Sequence, residues 1–278
     1  MIRKRTINIL GDRDILDQIY NNATVDMSAS EKKQSQNVGG RITLVLDEAS
    51  KTYTDVISMA EKYRLNPTVF QSVRYTKAEI EQIEYFQMRI LSPLEIEGTD
   101  AADYGTQYDG GCPNPTCRLG RHLVGDVLVD RKFLNQKKWD IGTLRPDIYV
   151  SEKLKDVIVS NNLTGVSFEH EVKDFKGRKM PSFHVMDIET VLPPMATSAW
   201  LCHDEYTHKW YGQCDHQVIY LRSDVQYEKE KLEVAKDFNL STEYVDNYRL
   251  QVIIVSARVR KLFQQGKVHA GFFPVALL

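Results

Sequence analysis

The stretch Asp147-Ile-Tyr-Val-Ser-Glu-Lys-Leu-Lys-Asp-Val-Ile158 carries the two signals on which the fold reading rests. It opens as a short β-branched and aromatic run, the composition of a strand. The run ends in Val-Ser, which sets Ser151 to cap the helix begun by the residues after it. The same arrangement returns at Val252-Ile-Ile-Val-Ser-Ala-Arg-Val-Arg-Lys-Leu-Phe263, with Ser256 in the equivalent place. Each helix then leads to a glycine, Gly165 or Gly271, and to an apolar strand holding Phe168, or Phe272 and Phe273. The match needs one gap. It fits a strand-serine-helix duplication over 147–170 and 252–273, and equally two separate uses of a common local solution.

Upstream, Thr6–Leu10 is a short apolar strand, and Ile15, Leu16 and Ile19 take helical spacing after Asp12. Residues 24–40 are polar and end in Gly39-Gly40, which reads as a loop. Arg41-Ile-Thr-Leu-Val-Leu-Asp47 is a strand. Tyr53, Val56, Ile57 and Ala60 form one face of an amphipathic helix over 52–64. Thr76-Lys-Ala-Glu79 fits a capping box before a short helix. Further strands are expected near 86–91, 123–129, 166–172, 183–188 and 251–255. The acid-rich segment Asp224–Asp246 reads as helical, with a break near Asn239. The expected fold is α+β (mixed α/β), an antiparallel or mixed sheet with flanking helices. The expected division is an N-terminal α/β domain over 1–96 and a C-terminal α+β domain over 97–278.

The chain has 278 residues, enough to bury a core without disulfides. Hydrophobic residues make up 42% and charged residues 27%, a globular balance. The net charge of −2 gives no global pull towards nucleic acid or membrane. No apolar run reaches membrane-spanning length. Met1–Leu10 reads as a first strand rather than a signal peptide, so a reducing cytoplasm is the expected compartment. There, four cysteines point to free thiols or metal ligands before disulfides.

The most specific local chemistry is Gly110-Gly-Cys-Pro-Asn-Pro-Thr-Cys117-Arg-Leu-Gly120. Two thiols with four residues between them sit in a Pro/Gly turn, as in a zinc knuckle, where glycine lets the backbone approach the metal. Tetrahedral zinc needs two more ligands. Cys202 and Cys214 supply them in one reading. In another, His203, His208 or His216 replaces a cysteine. In a third, the cysteines hold no metal. A Cys112, Cys117, Cys202, Cys214 site would be structural, with no open coordination position.

No catalytic motif is present: no Walker loop, no HExxH, no GxGxxG. The seven histidines are scattered, and His170 and His184 read as satisfied structural residues. Asp100, Asp103 and Asp109 read as a solvated loop. Arg118, Arg121, Lys132 and Lys137 beside the cysteines could follow a phosphate backbone. Arg249, Arg258, Arg260, Lys261 and Lys267 stand in a C-terminal stretch without acids, read as a nucleic-acid surface or as a basic helix over 258–267 that complements the acidic segment 224–246 or faces solvent.

The segments Lys138-Trp-Asp-Ile141, Ile148-Tyr-Val-Ser-Glu-Lys-Leu-Lys155 and Asn162-Leu-Thr-Gly-Val-Ser-Phe168, with upstream cysteines followed closely by glycine, resemble the immunity-protein-like families of bacterial polymorphic-toxin loci, the double-CxxCG proteins among them. The resemblance covers residues 110–170. The first cysteine pair here is Cys-x4-Cys, and the second is more widely spaced. The resemblance implies a non-enzymatic α+β protein that binds and neutralises a cognate toxin. Two other classes stand beside it: a zinc-knuckle nucleic-acid-binding protein, and an enzyme with an unrecognised site.

Overall fold

In the computed structural model the described residues are 2–91, 105–110, 120–130, 139–144, 147–196, 200–202, 218–221, 224–245 and 250–278. The chain forms two units, Met1–Gln82 with Arg222–Asp224, and Ile83–Leu221 with Val225–Leu278. The division falls at Gln82 rather than near residue 96, because the strand that follows pairs inside the second unit.

The first unit runs β1 (Ile2–Leu10), α1 (Arg13–Asp26), α2 (Ala29–Gln34), β2 (Gln36–Val38), β3 (Arg41–Asp47), α3 (Lys51–Lys62), β4 (Thr68–Arg74) and α4 (Lys77–Ile80). Its antiparallel sheet has the order β2-β3-β1-β4. Ile7 lies opposite Leu44 and Ile9 opposite Ile42. The period of two sends these side chains, with Leu46, to one face. Leu16, Ile19 and Ala23 of α1 and Val56 and Ala60 of α3 close over them in one core. Tyr53 and Ile57 pack at its margin, so the helical face expected over 52–64 is the buried one. Cutting Ile42 or Leu44 to Ala in such a core costs about 2–5 kcal/mol.

Residues 24–40 are not a loop. They hold the end of α1, then α2 and β2. Ser28 and Glu31 form a capping box that starts α2. Glu31 also accepts from the Asp47 backbone N–H at 2.9 Å, tying the short helix to β3.

The second unit contains β5 (Tyr85–Ile90), β6 (Gln107–Gly110), β7 (Arg121–Val124), β8 (Val127–Val129), β9 (Ile141–Leu144), β10 (Asp147–Ser151), α5 (Glu152–Ser160), β11 (Val166–Ser167), β12 (Val172–Asp174), β13 (Phe183–Val185), β14 (Asp187–Ile188), β15 (Trp200–Cys202), β16 (Val218–Leu221), β17 (Gln226–Tyr227), a 3-10 turn (Lys229–Leu232), β18 (Phe238–Val245), β19 (Leu250–Ser256), α6 (Ala257–Gln265), β20 (Ala270–Pro274) and β21 (Ala276–Leu277). A mixed six-stranded sheet has the order β15-β16-β18-β19-β5-β20, and β13-β10-β9 form a second sheet. Mixed sheets and helices make the fold α+β. Three expected strands are each split: 123–129 at Gly125, whose φ is +76°, 166–172 into β11 and β12, and 183–188 into β13 and β14.

The segment 224–246 is the larger correction. It holds a short 3-10 turn and the long strand β18, not helices. Its buried positions include Asn239, Ser241 and Glu243, so its polar composition hides a core strand.

Candidate functional site

The two Val-Ser units are the frame around which the second unit is arranged. Ser151 and Ser256 are both N-caps, with backbone angles of −70°, 157° and −68°, 158°. Each Oγ accepts from the amide three residues on, Leu154 or Val259, at 3.3 Å. Each helix buries the third and seventh residues after its serine, Leu154 and Ile158 in α5, Val259 and Phe263 in α6. Both helices end on a left-handed residue, Asn162 at φ +49° and Lys267 at +56°. The next amide returns to the helix, Leu163 to Ile158 O at 3.1 Å and Val268 to Phe263 O at 2.9 Å, the pattern of a Schellman cap.

An aspartate completes each unit. Asp140 precedes β9, and its Oδ1 accepts from the Ser151 hydroxyl at 3.2 Å. Asp237 precedes β18, and its Oδ1 accepts from the Ser256 hydroxyl at 2.7 Å. The serine amides donate to the same two residues' carbonyls, at 2.9 and 3.0 Å. A basic residue two places after each serine faces its aspartate: Lys153 stands 3.6 Å from Asp140 and Arg258 3.8 Å from Asp237.

Asp237 does more than Asp140. Its Oδ2 accepts from the Thr164 amide at 3.0 Å and the Thr164 hydroxyl at 3.2 Å. The Phe238 amide donates back to Thr164 O at 3.0 Å, and Arg258 donates to Asn161 O. The tail of the first Val-Ser segment is thereby stitched to the head of the second, both inside the unit of Ile83–Leu221 with Val225–Leu278. Gly165 makes the close approach, at φ +89°; a Cβ there would lie 2.2 Å from Phe238 O.

A bulge in β18 places the most unusual side chain. Leu240 pairs with Ile253 and Tyr244 with Gln251, so Ser241, Thr242 and Glu243 stand against the single Val252. Ser241 Oγ accepts from the Val252 amide and donates to Glu243 O, both at 2.8 Å, which holds the bulge open. Bulges re-aim side chains. Here Glu243 turns inward and is 1% exposed. Its Oε1 accepts from the Met195 amide at 2.8 Å. Burial pushes the Glu243 carboxyl above its ordinary range. Burial, with Glu243 nearby, also raises the phenol of Tyr227, which is wholly buried.

His170 and His184 are each held by hydrogen bonds. Lys155 Nζ lies 3.3 Å from His184 Nδ1 and can only donate. Nδ1 is therefore the acceptor, and Nε2–H donates to Glu152. That bond holds the Glu152 carboxyl below its usual range. His170 Nδ1 donates to Gly125 O at 2.7 Å, and Nε2 stands 3.6 Å from Asp187.

Of the proposed zinc ligands only Cys202 is placed, at the end of β15 opposite Ile219. Cys112, Cys117 and Cys214, with His203, His208 and His216, lie outside the described residues. So do Asp100, Asp103, Arg118, Lys132, Lys137 and Arg249, whereas Asp109 stands in β6. The Cys112–Cys117 stretch joins β6 to β7, where Gly110 pairs with Arg121. Among the described residues, no group of three or more His, Cys, Asp or Glu is placed to hold a metal ion. Arg121 lies over the Tyr108 ring, 4.5 Å from its centroid.

Sequence reasoning passed over one exposed surface. β20 stands at one edge of its sheet as described, with β15 at the other. Phe272 faces α6, its ring 6.3 Å from that of Phe263. Alternation sends Phe273 to the other face, opposite Gln87 and beside Arg89. Phe273 is 41% exposed and Leu91 47%. Both flank Gly271, where an added Cβ would meet the Phe273 ring at 3.2 Å and Leu91 at 3.7 Å. The Arg89 guanidinium lies 4.6 Å from the Phe273 centroid. Among the described residues no helix is long and apolar enough to cross a membrane. No family model matches the chain, and no curated protein matches it in sequence.

Proposed function

We propose that the chain is a non-enzymatic protein-binding factor of the immunity or defence-associated kind, which holds and neutralises a partner protein in the cytoplasm. The observation that carries this reading is the Arg89–Phe273–Leu91 patch at the β20 edge of the described sheet. Interface cores are enriched in aromatic residues and arginine. Strand edges offer backbone donors and acceptors to an incoming segment. The partner surface that fits is apolar with a carboxylate for Arg89. The resemblance over residues 110–170 favours the same class.

The test is site-directed crosslinking from position 273 in the native host, compared with Phe273→Asp. Crosslinking to one protein that co-purifies with the wild type and is lost in a folded Phe273→Asp protein is the expected result. A partner retained unchanged by Phe273→Asp removes this surface from the reading. Salt-dependent oligonucleotide binding that Arg121→Ala abolishes would favour the nucleic-acid alternative.

A structural zinc held by Cys112, Cys117, Cys202 and Cys214 belongs to the same proposal. The β6–β7 hairpin supports it by pairing Gly110 with Arg121, the residues that flank the stretch holding Cys112 and Cys117. Cys117→Ser should lower the melting temperature and release metal, since thiolate ligation is coupled to folding. Protein expressed with ample zinc that carries less than about a tenth of an equivalent argues against the site.

A further inference from the structure

Tyr227 lies in a core with Leu192, Met195, Val225, Val252 and Ile254, and Glu243, 1% exposed, is close enough to act on its phenol. Glu243 Oε2 and Tyr227 Oη are both buried, and neither has a hydrogen-bonding partner. They are therefore not bonded to each other. The neighbouring side-chain groups of the bulge are paired: the Ser241 hydroxyl both accepts and donates, the Thr242 hydroxyl donates to Leu192 O, and Glu243 Oε1 accepts. Two orphaned polar oxygens among paired neighbours call for an explanation.

The chemistry narrows it. A carboxyl oxygen and a phenol held in the interior without partners are each costly, whichever form the carboxyl takes. Oε1 already accepts from the Met195 amide, so Oε2 is the carboxyl oxygen left to be met. Lys231 acts on Glu243 through its charge, but its Nζ lies 3.4 Å from both Pro194 O and Glu228. A carboxyl oxygen and a hydroxyl, both buried and unpaired, suit a molecule that can donate and accept.

We propose that Glu243 Oε2 and Tyr227 Oη bound an internal hydration site, with ordered water bonded to the Glu243 carboxyl and to the Tyr227 hydroxyl. Internal waters of this kind make two to four hydrogen bonds to buried groups otherwise left unpaired. The site stands where two segments converge. Residues 192–196 lead into the stretch that carries Cys202, and 225–227 return from it. The Ala196 amide donates to Gln226 O at 2.9 Å and the Met195 amide to Glu243. The water would complete the polar side of that junction.

The experiment is a crystal structure of the full chain at a resolution that shows ordered solvent, with water-proton NMR exchange as an independent readout. Solvent density within hydrogen-bonding distance of both oxygens, and a long-lived water contact to the Met195 amide, are expected. The double variant Glu243→Met with Tyr227→Phe should lose both signals. A direct Tyr227–Glu243 hydrogen bond, a dry site in the wild type, or density that only a metal cation explains would each overturn the proposal. The wild-type measurements stand even where the double variant does not fold.

Discussion

The two capped units are built alike and loaded differently. In both, an aspartate before a hairpin grips a serine at its far end, and the serine starts a helix that ends on a left-handed residue. The first hairpin joins β9 and β10 with Leu144 opposite Asp147. The second carries the bulge that turns Glu243 inward. Asp140 grips its own serine, whereas Asp237 also receives Thr164 from the other unit. A shared local device has thus become, in one copy, the fastener between copies. The cap makes the unit fold, and added contacts decide what it is attached to.

The most damaging change should fall on the seam. Gly165→Ala sets a Cβ against Phe238 O at a backbone angle that side chains rarely adopt. A loss of roughly 3 kcal/mol or more is expected in urea unfolding, from overpacking and strain together. A loss under about 1 kcal/mol would mean the seam yields easily.

The two aspartates come next, and they sharpen the comparison directly. Asp237→Ala leaves Thr164 and Ser256 without their acceptor and should cost roughly 2–3 kcal/mol; Asp140→Ala should cost about 1 kcal/mol. Equal losses would deny Asp237 its second role. The serines should be the matched pair. Ser151→Ala and Ser256→Ala should each cost about 1 kcal/mol, the ordinary value of an N-cap.

A smaller, pH-dependent contrast belongs to the bulged hairpin alone. The folded state favours neutral Glu243, so its contribution is fully present below the ordinary glutamate pKa of 4.5 and is lost as pH rises through the higher folded value. Unfolding measured from pH 4 to 9 should show that decline reduced in Glu243→Gln. The β12 turn titrates the other way. The Arg178 side chain and the amides of Arg178 and Lys176 hold the Asp174 carboxyl at about 2, so its stabilisation is present above 3.8 and lost as pH falls towards 2. Asp174→Asn should remove that acid-side component from the same titration.

Much of this frame was legible because it is local. The strand at 41–47, the helical face on Val56 and Ala60, the Thr76–Glu79 box and both serine caps each declare themselves within a few residues. The Ser28–Glu31 box obeyed the same rule and was masked by its polar neighbours. β18 could not be read this way. Its bulge breaks the period of two, and Asn239, Ser241 and Glu243 are buried by partners distant in sequence, such as Met195 and Val252. The aspartate grips were missed because hairpins of unequal length put Asp140 and Asp237 at unequal distances from their serines. The surface patch rests on a register, Phe273 beside Arg89, that only strand pairing supplies.

The left-handed helix ends carry a consequence for engineering. Arg64, Asn162 and Lys267 occupy that conformation at φ 54°, 49° and 56°. Asparagine tolerates it; arginine and lysine do so at a cost that glycine avoids. Arg64→Gly and Lys267→Gly therefore offer thermal headroom, each worth about 1 kcal/mol before the flexibility glycine adds to the unfolded chain is subtracted. A chain that leaves such gains unused has been kept folded enough to work, with no pressure towards its highest melting temperature.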